Sequence, residues 1–123
     1  MKLYLISNTE WIIMQILWKK PKSTLGEIVS QLDGFGWSQS TIKTLIKRLA
    51  DKGYIDTDKA IKNNFKYSAA VMENECKLEE ARDFLARVFD GSISMLVSTF
   101  VNNNKLSEEE QKKLIDIIKK MED

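Results

Sequence analysis

The chain has 123 residues, 43% apolar and 30% charged, which suits one folded domain or a small domain with an assembly segment. One cysteine, Cys76, and no histidine exclude an internal disulfide and set aside Cys/His zinc chemistry, so a cytoplasmic protein without metal or other cofactor is expected. The net charge of +1 hides a split near Val71: residues 1–71 carry eleven Lys and Arg against six Asp and Glu, whereas residues 72–123 carry eight against twelve. A basic front half points to a polyanionic partner and an acidic rear half to a part that stays off it.

The opening MKLYLISNTEWIIMQILW is apolar, but Ser7, Asn8, Thr9 and Glu10 interrupt it and no small-residue cleavage site follows. Neither a signal peptide nor a membrane span is expected, because no unbroken run of about 18 apolar residues exists. Instead, Ser7 and Glu10 form the pattern of a capping box, in which hydroxyl and carboxylate satisfy each other's orphan backbone N–H groups, and Ile6 and Trp11 stand at hydrophobic-staple positions. Trp11, Met14, Gln15 and Trp18 then recur at helical spacing, which predicts a first helix over Asn8 to Lys19 before Pro21. The indoles of Trp11, Trp18 and Trp37 are assigned to core packing rather than base stacking. Thr24 and Glu27 repeat the box before a second helix, Leu25 to Leu32, closed by Asp33-Gly34-Phe35-Gly36.

Ser38 caps a third helix running to Lys52, whose Ile42, Leu45, Ile46 and Leu49 make one apolar stripe until Gly53 supplies a left-handed stop. Opposite that stripe lie Ser40, Thr41, Lys43, Thr44, Lys47 and Arg48, a face of hydroxyls and cations with no acid among them. Such a face suits a major groove, where Lys and Arg donate to phosphates or guanine and Thr meets base edges or a thymine methyl. After Gly53 the period changes to that of strands at Tyr54–Asp58 and Phe65–Ala69, joined through a turn near Asn63-Asn64. Three helices and a two-stranded wing are the order of a winged helix-turn-helix, with the third helix as the recognition helix. Lys59, Lys62 and Lys66 on the wing are placed to track backbone phosphates.

From Met72 the pattern is helical again, over Asn74 to Phe89, Ile93 to Val101 and, after Ser107 and Glu110 form a third capping box, to Met121. The expected architecture is therefore mainly α, with a winged helix-turn-helix over residues 1–71 and a helical dimerisation region over 72–123. Phe84, Leu85, Val88, Phe89, Ile93, Leu96, Val97, Phe100, Leu114, Ile117 and Ile118 offer more apolar surface than so short a segment buries alone, which predicts a homodimer. Two copies would hold their recognition helices at half-sites about one helical turn, roughly 34 Å, apart. Cys76, among Glu73, Glu75 and other polar neighbours that disfavour its thiolate, is expected to be passive.

Three stretches, SNTEWIIMQILW (Ser7–Trp18), WSQSTIKTLIKRLADKGYID (Trp37–Asp56) and LVSTFVNNNKLS (Leu96–Ser107), resemble the penicillinase-repressor family of BlaI/MecI/CopY type. The resemblance implies a homodimeric transcriptional repressor bound to a palindromic duplex operator, with groove contacts at the matching positions Thr41, Lys43, Thr44 and Arg48. It also implies control of β-lactam resistance or related stress genes, with release by an upstream sensor protease or another signal. Two departures qualify this: the paired C-terminal cysteine motifs of the copper-responsive branch are missing, and the Asn-Phe bond cleaved in the β-lactam branch corresponds to Thr99-Phe100, which keeps Phe and lacks Asn. The alternative is a winged-helix module for protein partners without sequence-specific DNA binding, which an apolar or acidic third-helix face would have favoured. An enzyme is not expected, for there is no phosphate-cradling loop, nucleophile elbow or ligand cluster.

Overall fold

The computed structural model describes residues 6–121, so the apolar Met1–Leu5 start considered as a leader lies outside the described residues. The chain divides into two compact units, Met1–Glu79 and Glu80–Asp123. The first unit therefore runs on beyond Val71 into the following helix, because Cys76 is buried with the N-terminal core.

Within the first unit, α1 (Asn8–Lys19) and α2 (Leu25–Gln31) both begin in complete capping boxes, at Ser7/Glu10 and Thr24/Glu27. A short 3-10 turn, Asp33–Phe35, ends at Gly36, whose φ of 72° is the left-handed geometry that a residue without Cβ adopts freely. Ser38 accepts from the Thr41 backbone N–H to start α3 (Gln39–Asp51), and Gly53 at φ 86° reverses the chain. Ile13, Met14, Leu17, Ile28, Leu32, Ile42, Leu45, Ile46 and Leu49 are buried together, so each helix contributes its apolar stripe to one core. Burial of each such side chain stabilises the fold by about 1.5–3 kcal/mol relative to exposure.

The wing strands are β2 (Ile55–Asp58) and β3 (Lys66–Ala69), paired antiparallel with Ile55 opposite Ala69 and Asp58 opposite Lys66. The sheet has a third member that the sequence did not announce: β1 (Ser23–Thr24) pairs with the outer side of β3, Ser23 opposite Tyr67, giving the order β1-β3-β2. Two residues are too few to show alternation, and Thr24 already reads as a helix cap, so the strand is visible only once β3 is in place. Trp11 and Trp18 pack edge-to-face at 5.4 Å, half-buried on the core, and the Trp18 indole N–H donates to the Val71 carbonyl at 3.0 Å. Trp37, also half-buried against the core, lies 5.0 Å from Phe35.

α4 (Glu73–Phe89) leads from the first unit into the second, which also holds α5 (Ile93–Asn102) and α6 (Glu108–Met121). Ser107 and Glu110 close the third capping box, with the Glu110 N–H donating to Ser107 Oγ at 3.2 Å. No described residue of this second unit is buried. Among the described residues no single helix is long and apolar enough to cross a membrane, and no group of three His, Cys, Asp or Glu side chains could hold a metal ion.

Candidate nucleic-acid interface

The two faces of α3 are cleanly divided. Its four aliphatic residues are buried, and Ser40, Thr41, Lys43, Thr44, Lys47 and Arg48 are all exposed. The short hydroxyls are partly engaged inside the helix: Ser38 Oγ lies 3.0 Å from Thr41 Oγ1, and Thr44 Oγ1 donates to the Ser40 carbonyl at 3.0 Å. Their spare lone pairs and the threonine methyls remain for an external partner.

Lys43, Thr44 and Lys47 join Lys59 of the wing in lining one groove of about 460 Å³, together with Phe65 and Tyr67. The Lys59 ammonium sits over the Phe65 ring at 5.7 Å, within cation–π reach, which holds that charge beside the helix. A second groove, about 550 Å³, runs between Thr24–Gly26, the head of α3 at Gln39 and Lys43, and the wing turn at Asn63, Asn64 and Phe65. Lys43 borders both grooves. Five of the expected positions line neither groove: Ser40, Thr41 and Arg48 are exposed on α3, Lys62 is exposed in the β2–β3 connection, and Lys66 is half-buried within β3.

Two residues of the face were not singled out from sequence. Gln39, Lys43, Lys47 and Asp51 follow one another at four-residue spacing, so they form a single stripe along the wing side of α3. Asp51 lines the first groove beside Lys47 and Lys59, which corrects the expectation of an acid-free face. The same four-residue step counted from Lys43 would have found both ends of the stripe.

The position of α3 is held from behind by a charge pair that spans the unit. Lys52, directly after α3, donates to both carboxylate oxygens of Glu10 at 2.9 and 3.0 Å. Glu10 also accepts from the Ser7 N–H at 3.0 Å, so one almost fully buried carboxylate, 2% exposed, closes the α1 cap and anchors the end of α3. Burial alone would raise its carboxyl pKa, but the bonds from Ser7 and the Lys52 ammonium outweigh that and hold it below the usual glutamate range.

Comparison with known proteins gives this arrangement a context. The family described as Penicillinase repressor matches residues 6–120. The methicillin resistance regulatory protein MecI of Mammaliicoccus sciuri is 37% identical over 120 residues, 97% of each chain, and the penicillinase repressor of Staphylococcus aureus is 35% identical over 114 residues, 92% of this chain and 90% of that one. The solution structure of monomeric Bacillus licheniformis BlaI, solved in complex with the blaP half-operator, superposes with a TM-score of 0.51 at 29% identity, over 60% of this chain and 90% of that one. Capped α1, basic-faced α3 and wing thus sit on a fold and a sequence pattern shared with these repressors, and the chain belongs to the penicillinase repressor family.

Proposed function

We propose that the chain is a transcriptional repressor that binds a palindromic operator as a homodimer, each copy laying α3 in the major groove with the wing beside it. The observation that carries this is the shared groove: Lys43, Thr44 and Lys47 of α3 and Lys59 of the wing converge on one cleft, with a fully exposed polar face around them. Ser40, Thr41, Lys43, Thr44, Lys47 and Arg48 serve base edges and adjacent phosphates, and Lys59, Lys62 and Lys66 serve the backbone. The likeness to a BlaI structure solved on a half-operator supports the same docking mode.

Dimerisation is supported by the second unit's lack of a core. Phe84, Val88, Ile93, Phe100, Ile117 and Ile118 are each more than 40% exposed, while Leu85, Phe89, Leu96, Val97 and Leu114 are half-buried. Leu96, Val97, Phe100, Leu114 and Ile117 line an apolar trough of about 310 Å³ between α5 and α6, a shape for an apolar side chain of a second copy. Release by an upstream sensor protease acting at Thr99-Phe100 would require α5 to unwind there, since both residues lie inside that helix and Thr99 Oγ1 bonds the Met95 carbonyl.

The test is selection of fragments bound by the full chain from the source organism's genomic DNA, followed by titration of the recovered sites at several salt concentrations. Recovered sites with two-fold symmetry and a half-site spacing of about one helical turn support the proposal. Equal affinity for every duplex, with no enriched sequence, overturns it in favour of a protein-binding module.

A further inference from the structure

A helix that enters the major groove reaches base edges chiefly with its N-terminal residues, so what the first turns of α3 offer decides which bases it distinguishes. Their side chains are not equivalent. Ser38 and Thr41 are occupied with each other at the cap, the Thr44 hydroxyl hydrogen is given to the Ser40 carbonyl, and the exposed Ser40 hydroxyl, a single oxygen, can bond any base without telling one from another. Lys43 is a point charge that serves a guanine or a phosphate alike. Gln39 differs from all of these: it is exposed at the head of α3, it lines the groove shared with the wing turn, and its side-chain amide has no hydrogen-bond partner among the described residues. An amide carries a donor and an acceptor side by side, the complement of adenine's N7 and N6 amino group on the major-groove edge and of no other base. Asn63 and Asn64 bring the same group to this groove, but from the turn of the wing and not from the helix.

We propose that Gln39 is a base-reading residue that specifies an adenine in each half-site, its Nε2 donating to N7 and its Oε1 accepting from the N6 amino group. The inference rests on the DNA-binding function proposed above and names the specificity determinant within it. Lys43, one turn further along the same stripe, then holds the neighbouring guanine or phosphate and keeps the amide in register.

The experiment is selection of bound duplexes from a randomised half-site library by the full chain and by two variants, Gln39→Ala and Gln39→Glu, with folding checked by circular dichroism. The unaltered protein should select a half-site containing an invariant A·T pair, and replacing that pair by G·C should weaken binding about tenfold. Gln39→Ala should select the same half-site with that one position randomised, and the replacement should then change affinity less than twofold. Gln39→Glu should move the preference at that position toward cytosine, whose N4 amino group a carboxylate accepts, a gain that loss of structure does not produce. If both folded variants select the wild-type half-site unchanged, Gln39 does not read a base, while the repressor function stands. If the unaltered protein itself selects no sequence, that function and this inference fall together.

Discussion

Lys43 and Arg48 carry the same charge but stand differently, for Lys43 borders both grooves of the interface and Arg48 borders neither. Replacing either by Ala should leave the fold intact, because both are exposed and lie off the core, and should weaken operator binding by about 1–3 kcal/mol where the residue contacts a base. Titration of an operator duplex with each variant checks this, and an unchanged affinity removes that residue from the site. Glu10 and Lys52 act on the fold instead. Because the Glu10 pKa is lowered in the folded state, the pair stabilises the protein above the ordinary glutamate range, and that stability drains away as pH falls through the depressed value. Chemical denaturation followed against pH should show this acid limb, and Glu10→Gln should flatten it. Lys52→Met should cost about 2 kcal/mol near neutral pH, the scale of a hydrogen-bonded charge left without its partner. The polar face of α3 was legible because residues three and four apart share a side, whereas the Glu10–Lys52 pair was not, since its members are 42 residues apart and meet only through the core.

Capping and periodicity made the helices legible. Ser7, Thr24 and Ser107 each precede a Glu by three residues, and each of the three boxes is formed. Helix α1 spans the expected residues, and the ends of the others differ from expectation by a residue or so, the scale on which helix termini fray. The wing was legible from its change of period and from Asn63, whose φ of 65° is the turn conformation Asn tolerates best after glycine. What escaped was β1, because a two-residue strand has no pattern of its own and exists only through its register with Tyr67 and Lys66. The extra strand braces β3, while Lys62 and its neighbours from Lys59 to Asn64 in the β2–β3 connection are exposed. Lys62→Ala should therefore weaken binding to every duplex alike and reduce the slope of log affinity against log salt by about one unit, measurable by anisotropy from low to moderate ionic strength. A loss confined to one sequence would instead make Lys62 a base contact.

Across the whole chain, charge and packing change in the same order, from a basic first unit with a closed core to an acidic second unit in which no described residue is buried, although the charge changes sign near Val71 and the units part after Glu79. The charge split was legible from sequence alone, but the point at which one unit gives way to the next was not, because α4 runs through it without a break and only the burial of Cys76 marks its first turns as part of the N-terminal core. Phe100→Asp should separate the proposed dimer into single copies by sedimentation while the first unit still melts cooperatively, and an intact dimer would move the interface away from α5. In the proposed dimer α5 and α6 would be stabilised by the second copy, so their melting temperature should follow mass action and climb with protein concentration, whereas that of the first unit should stay put. Calorimetry over a hundredfold dilution series should resolve the two transitions drifting apart. If the proposed dimer forms, dilution should also loosen α5 and α6 enough for an added protease to cut them, and limited proteolysis over the same series should show cleavage rising as the protein is diluted.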